Sequence, residues 1–113
     1  MGKVILIGFD ELETEGVRLI LSSLAEVLSI SEEAFKMKLK DVLDNPPTGF
    51  STWNGKRFAI IHEAPPAEIV KRIKALQLGE VIFATSTPTS LNWKLEKLLK
   101  ELEEEEDEYF SSR

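Results

Sequence analysis

The sequence predicts a small α/β domain with a mostly parallel three-stranded sheet flanked by helices, in the order β-α-α-β-α-β-α. Three observations point there. The runs Lys3–Gly8, Arg57–His62 and Glu80–Thr85 are apolar, of strand length and without polar alternation, so each should be covered on both faces. Between them, apolar residues recur at helical spacing. Prolines and glycines mark the joints.

The first strand leads to Asp10, with Glu13 three residues on, which is a capping box. A stripe of Val17, Ile20, Leu21, Leu24 and Leu28 reads as one helix continuing from there. A second helix should begin at Ser31, with Phe35, Leu39, Val42 and Leu43 on one face. Asn45-Pro46-Pro47 ends it, because proline lacks a donor N–H and restricts its predecessor. The irregular stretch 44–56 contains Asn54-Gly55, a hairpin signal, so a short edge strand near 50–53 can fold back on the second strand. Pro65-Pro66 opens the next helix, with Ile69, Val70, Ile73 and Leu76 on its inner face and Gly79 as its C′ residue. The last helix carries Leu91, Leu95, Leu98, Leu99 and Leu102. No internal repeat is evident in the sequence.

One domain over 1–102 followed by an acidic tail, 103–113, accounts for the 113 residues. The tail should begin helical and then fray, since carboxylates at a helix C-terminus oppose the macrodipole. Its acids, with Tyr109-Phe110, suit a basic protein partner. Net charge is −6, and residues 94–113 hold eight acids against four bases, so the remainder is nearly balanced. A nucleic-acid partner is not expected, because no basic face is available to neutralise phosphates. There is no cysteine, which removes thiolate catalysis and cysteine-bound metals. The first apolar run is too short for a membrane span, so a cytoplasmic protein without membrane attachment is expected. Abundant Glu and Lys with a single Gln lean toward heat adaptation.

Candidate chemistry gathers at the carboxyl ends of the strands, where open parallel sheets bind ligands. Those ends carry Gly8-Phe9-Asp10, His62-Glu63 and Thr85-Ser86-Thr87, and parallel strands would bring them to one rim. Asp10, Thr85, Ser86, Thr87 and Asn92 are the candidate ligand-binding residues. The hydroxyls beside a helix N-terminus suit an anion, and they equally suit a turn and helix cap. His62 is the sole histidine and the candidate acid–base. A Ser86–His62 pair with Glu63 or Asp10 would resemble a hydrolytic array. Against it, neighbours in a strand point to opposite faces. No metal site and no cofactor are expected, since one histidine and no cysteine leave only carboxylates as further ligands. Trp93 lies off the leucine stripe and should pack under the 85–90 turn, leaving Trp53 as the better interface candidate.

The segment from Ile60-Ile61-His62 through Val81-Ile82-Phe83-Ala84-Thr85, Thr87-Pro88-Thr89 and Asn92-Trp93 to the leucine-rich acidic helix resembles a known family. It is a family of small prokaryotic proteins described as a domain of unknown function, DUF3783. The resemblance spans roughly 58–106 and implies a fold, with no activity, cofactor or catalytic residue attached. A non-enzymatic interaction or regulatory module is the expected function. A small-molecule or anion-binding site at the rim, or a hydrolytic one there, is the alternative. A narrow sheet exposes two edges, so a homodimer through an edge strand or the last helix is expected, besides a protein partner.

Overall fold

The computed structural model describes residues 2–111, with side chains described for residues 2–105. The side chains of the acidic run from 106 on, and those of Tyr109-Phe110, lie outside the described residues.

Strand β1 (Gly2–Ile7) leads through Gly8 to helix α1 (Glu11–Leu21). The capping box forms: Asp10 accepts from the Glu13 N–H at 2.8 Å, and Glu13 accepts from the Asp10 N–H at 3.0 Å. The helix stops at Leu21, however, and Ala25–Ser29 forms a second strand, β2, parallel to β1. This corrects the single long helix. Leu21, Leu24 and Leu28 sit at helical spacing by coincidence, while Ser22-Ser23 breaks the helix between them.

After β2 comes a 3-10 turn (Glu32–Lys36) and then α2 (Leu39–Asp44), two short pieces where one helix is expected. Met37 between them is extended, at φ −91° and ψ 153°. Strand β3 (Arg57–His62), helix α3 (Pro66–Ala75) and strand β4 (Val81–Thr85) follow, and then a 3-10 turn (Ser90–Asn92) and α4 (Leu95–Ser111). Helix α3 ends before Gly79, with Gln77 taking the left-handed conformation at φ 55°.

The sheet has four strands in the order β2-β1-β3-β4 and is mixed. The outer pairs are parallel, but β1 and β3 run antiparallel, with Ile5 opposite Ile60. The expected three-stranded sheet is therefore corrected to four strands, and of its three pairings two are parallel as expected while the central one is antiparallel. Apolar runs report burial on both faces, and both central strands have it; they do not report direction. The expected edge strand near 50–53 is absent. Asn54 and Gly55, at φ 52° and 69°, make the predicted tight turn, but it closes only a Trp53–Lys56 bridge.

Two β-α-β units thus sit side by side, and the second repeats the first. Gly8 and Glu63 both take positive φ directly after their strands. The Leu39 N–H donates to the Trp93 carbonyl and the Leu95 N–H donates to the Met37 carbonyl, each at 2.9 Å. Ile5 and Ile60 lie on the local two-fold axis that relates the halves. Crossovers of one hand, related by an axis normal to the sheet, put both helices on one face. Accordingly α1 and α3 cover Val4, Leu6, Ala59 and Ile61. The first 3-10 turn, α2 and α4 cover Ile5, Ile7, Phe58 and Ile60 on the other face.

Two polar clusters join distant segments. The Arg57 guanidinium meets Glu13 at 2.6 Å, and that hydrogen bond holds the Glu13 carboxyl below its ordinary range. On α4, Glu103 accepts hydrogen bonds from Trp53 Nε1 and from Asn54 Nδ2, with Lys56 Nζ at 3.4 Å. Burial pushes its carboxyl up, but these donors prevail and hold it below the usual value. Trp53 also packs edge-on against Phe35 at 5.2 Å between centroids. It ties the 53–56 turn to α4 and remains half-buried.

Candidate functional site

Because β1 and β3 run in opposite directions, the expected rim divides. Asp10 lies at one end of the sheet, and His62 lies at the other, opposite Lys3 at the start of β1. Asp10 is the N-cap of α1. The structure brings His62 to Ser86, with Thr85 before it and Thr87 and Asn92 in the turn that follows, and leaves Asp10 out.

His62 Nδ1 stands 2.8 Å from Ser86 Oγ, and its Nε2 stands 3.5 Å from Glu63 Oε1. Side chains of strand neighbours point apart, yet Glu63 is past the strand end and has φ 51°. The first half turns this corner with Gly8; the second uses glutamate at a cost of about 1 kcal/mol or more. That left-handed turn carries the Glu63 carboxylate back toward His62.

A serine–histidine–carboxylate chain alone does not make a hydrolase; the developing oxyanion needs aimed donors. The N–H groups of Ser86 and Thr87 are engaged. Ser86 N–H donates to the Ile61 carbonyl at 2.9 Å, and Thr87 N–H donates to Ser90 Oγ at 2.9 Å. Ser90 N–H in turn donates to Thr87 Oγ1 at 3.0 Å, a reciprocal pair that shapes the turn. Asn92 Nδ2 donates to the Pro88 carbonyl at 3.3 Å. The buried Ser90 is a residue that sequence reasoning missed, although its spacing from Thr87 is that of a capping pair. Among the described residues, no three His, Asp or Glu side chains converge as a metal site. No helix among them is long and apolar enough to cross a membrane.

The larger feature lies beside this cluster. A groove of about 490 Å³ straddles β4, the outermost strand on its side of the sheet. From the α3 layer it is lined by Pro66, Val70 and Phe83. From the α4 layer come Trp93, Leu98 and Leu102, with Thr85, Thr87 and Thr89 along the rim. Trp93 is half-buried under the turn, as its position off the leucine stripe predicts, and Lys97 Nζ rests 4.4 Å from its ring centroid.

The backbone of β4 completes the groove. The Ser86 bond to Ile61 sets the phase of the parallel ladder, so even-numbered residues of β4 bond to β3. The N–H and C=O groups of Val81, Phe83 and Thr85 consequently face outward, those of Phe83 and Thr85 beside the groove. The opposite edge differs. Beside β2, Gly49 N–H donates to the Ser29 carbonyl and Ser31 N–H donates to the Pro47 carbonyl, so the 47–49 segment covers its carboxyl end, while residues 25–28 line a second groove of about 680 Å³ in which Glu26 and Arg18 place charge.

Residues 60–110 match the family model described as Domain of unknown function (DUF3783). The resemblance seen in the sequence is to this family. The matched segment contains every residue that lines the groove, along with His62 and Ser86. No curated protein and no solved structure gives a significant match to the chain.

Proposed function

We propose that the DUF3783-like half of this chain serves as a non-enzymatic interaction module, binding an extended segment along the outer edge of β4. One observation carries this: an apolar groove straddles a strand whose outward backbone groups have no strand beside them among the described residues. A segment added there gains ladder hydrogen bonds, and its alternate side chains enter the groove on the two faces of the sheet. One set would meet Val70 and Phe83, the other Trp93, Leu98 and Leu102. Edge strands are usually blunted by charge or proline, and Val81–Thr85 carries neither.

A hydrolytic or anion-binding rim is the alternative, supported by the Ser86–His62–Glu63 chain. The engaged N–H groups around Ser86 and Thr87 weigh against both forms of it. An interaction site requires none of those groups to be free.

A photo-activated cross-linking residue placed at the exposed Thr85 in living cells tests the proposal. A discrete protein adduct is expected from Thr85, and none from the exposed Glu33 on the first 3-10 turn. Equal labelling from both sites, or none from Thr85, would remove the β4 edge as the binding surface.

A further inference from the structure

We infer that the segment bound along β4 is a second copy of this chain, with the two β4 strands antiparallel about a two-fold axis at Phe83. This rests on the β4 edge being the binding surface, and it adds the partner and the geometry. Phe83 is the middle residue of Val81–Thr85. The outward-facing positions are Val81, Phe83 and Thr85, so an antiparallel mate sets Val81 against Thr85 of the second copy. Phe83 then meets its own equivalent. Every outward N–H and C=O of the strand finds a partner, and no charged side chain of the strand is brought against another.

The charges of α4 point to the same partner. Its entry and first turns carry Lys94, Lys97 and Lys100, with one acid, Glu96, paired to Lys36 of the same chain, whereas Glu101, Glu103, Glu104 and Glu105 follow. The groove-lining side chains run along it as Leu98, Leu102 and Glu105, with Lys97 over Trp93 at the opposite end. A two-fold axis normal to the sheet sets α4 antiparallel to its mate. The basic end of each helix then lies beside the acidic end of the other, with Leu98 and Leu102 between. An isologous interface demands this self-complementarity, which a surface shaped for a foreign segment would not require. Joining the two β4 strands makes one continuous sheet of both copies, with a β2 edge that carries Glu26 at each outer end.

The test is sedimentation equilibrium on the full chain, with charge-reversed variants. Wild type is expected to dimerise to twice 12.8 kDa, more tightly at low ionic strength. E105K, at an exposed position, opposes lysine to lysine twice per dimer and should raise the dissociation constant by about tenfold. K97E should do the same, and the K97E/E105K exchange should recover most of the loss. Unchanged melting of E105K, compared at a dilution where wild type is monomeric, separates these effects from unfolding. A monomer at every concentration, or a dimer indifferent to both reversals, would overturn the inference. The Thr85 cross-link separates the two levels of the account. An adduct of dimer mass supports the inference, and one with a different protein overturns it while leaving the edge as an interaction site. No adduct removes both.

Discussion

Gly8→Ala is expected to cost about 3 kcal/mol or more of folding stability and to lower the melting temperature by about 15 °C. Gly8 ends β1 with φ 86°, a conformation that an L side chain resists. A Cβ there would also stand 2.1 Å from the Lys56 carbonyl oxygen, which is backbone and has no rotamer to change. Gly55→Ala is the internal control. Its φ is 69°, but nothing lies within 4 Å of the added carbon, so only the conformational cost of about 1 kcal/mol applies. Thermal melts of both variants separate strain from collision. A loss below about 1 kcal/mol for Gly8→Ala would mean that the junction of β1 with the 51–56 segment is wrongly drawn.

Glu103→Ala is expected to cost about 2–3 kcal/mol, because it strips the acceptor from three donors on the 53–56 turn. The Glu103 side chain is only 15% exposed, so water replaces the lost acceptor poorly. Glu103→Gln keeps an oxygen for Trp53 and should lose less. The charged form of Glu103 is favoured in the folded protein, and its carboxyl stays below the ordinary range. Its contribution is thus complete above the unfolded carboxylate pKa and is lost as pH falls through the lower folded value. Glu103→Gln should flatten that part of the acid limb. Urea unfolding followed by tryptophan fluorescence measures both effects. An unchanged midpoint in Glu103→Ala would show that α4 is not tethered at this point.

Much of the architecture was legible from the residues. The strands at β1, β3 and β4, the Asp10–Glu13 cap, the proline-started α3 and the leucine stripe of α4 all follow from local pattern. What was illegible is what local pattern does not encode. Leu28 continued a helical stripe and so concealed β2, although Val27-Leu28 is equally good strand sequence. Nothing local distinguishes β3 parallel to β1 from β3 antiparallel to it, and that one choice decides whether Asp10 joins His62. The internal repeat escaped notice because it is kept by geometry more than by identity. Met37-Lys38-Leu39 and Trp93-Lys94-Leu95 share their middle lysine and last leucine, while Gly8 and Glu63 share only a backbone angle.

The candidate site shows the same division. The hydroxyl-rich segment 85–90 stood out at once, and its residues do cluster. Their hydrogen bonds are mostly internal, so the turn is itself a structural element: Thr87 with Ser90, and Asn92 with Pro88. The groove beside it arises from residues that read simply as core, such as Val70 and Leu102, left half-buried because no strand lies beyond β4 among the described residues. Sequence pattern marks a residue as apolar. It does not say whether the sheet ends beside it.

The central claim is that the outer edge of β4 pairs with another strand, and amide hydrogen exchange resolved at Val81, Phe83 and Thr85 tests it most directly. The account predicts slow exchange at these three amides in the concentrated full chain, speeding up on dilution and in E105K, while Ala84 stays protected throughout. Exchange as fast as that of an open loop at every concentration would contradict it.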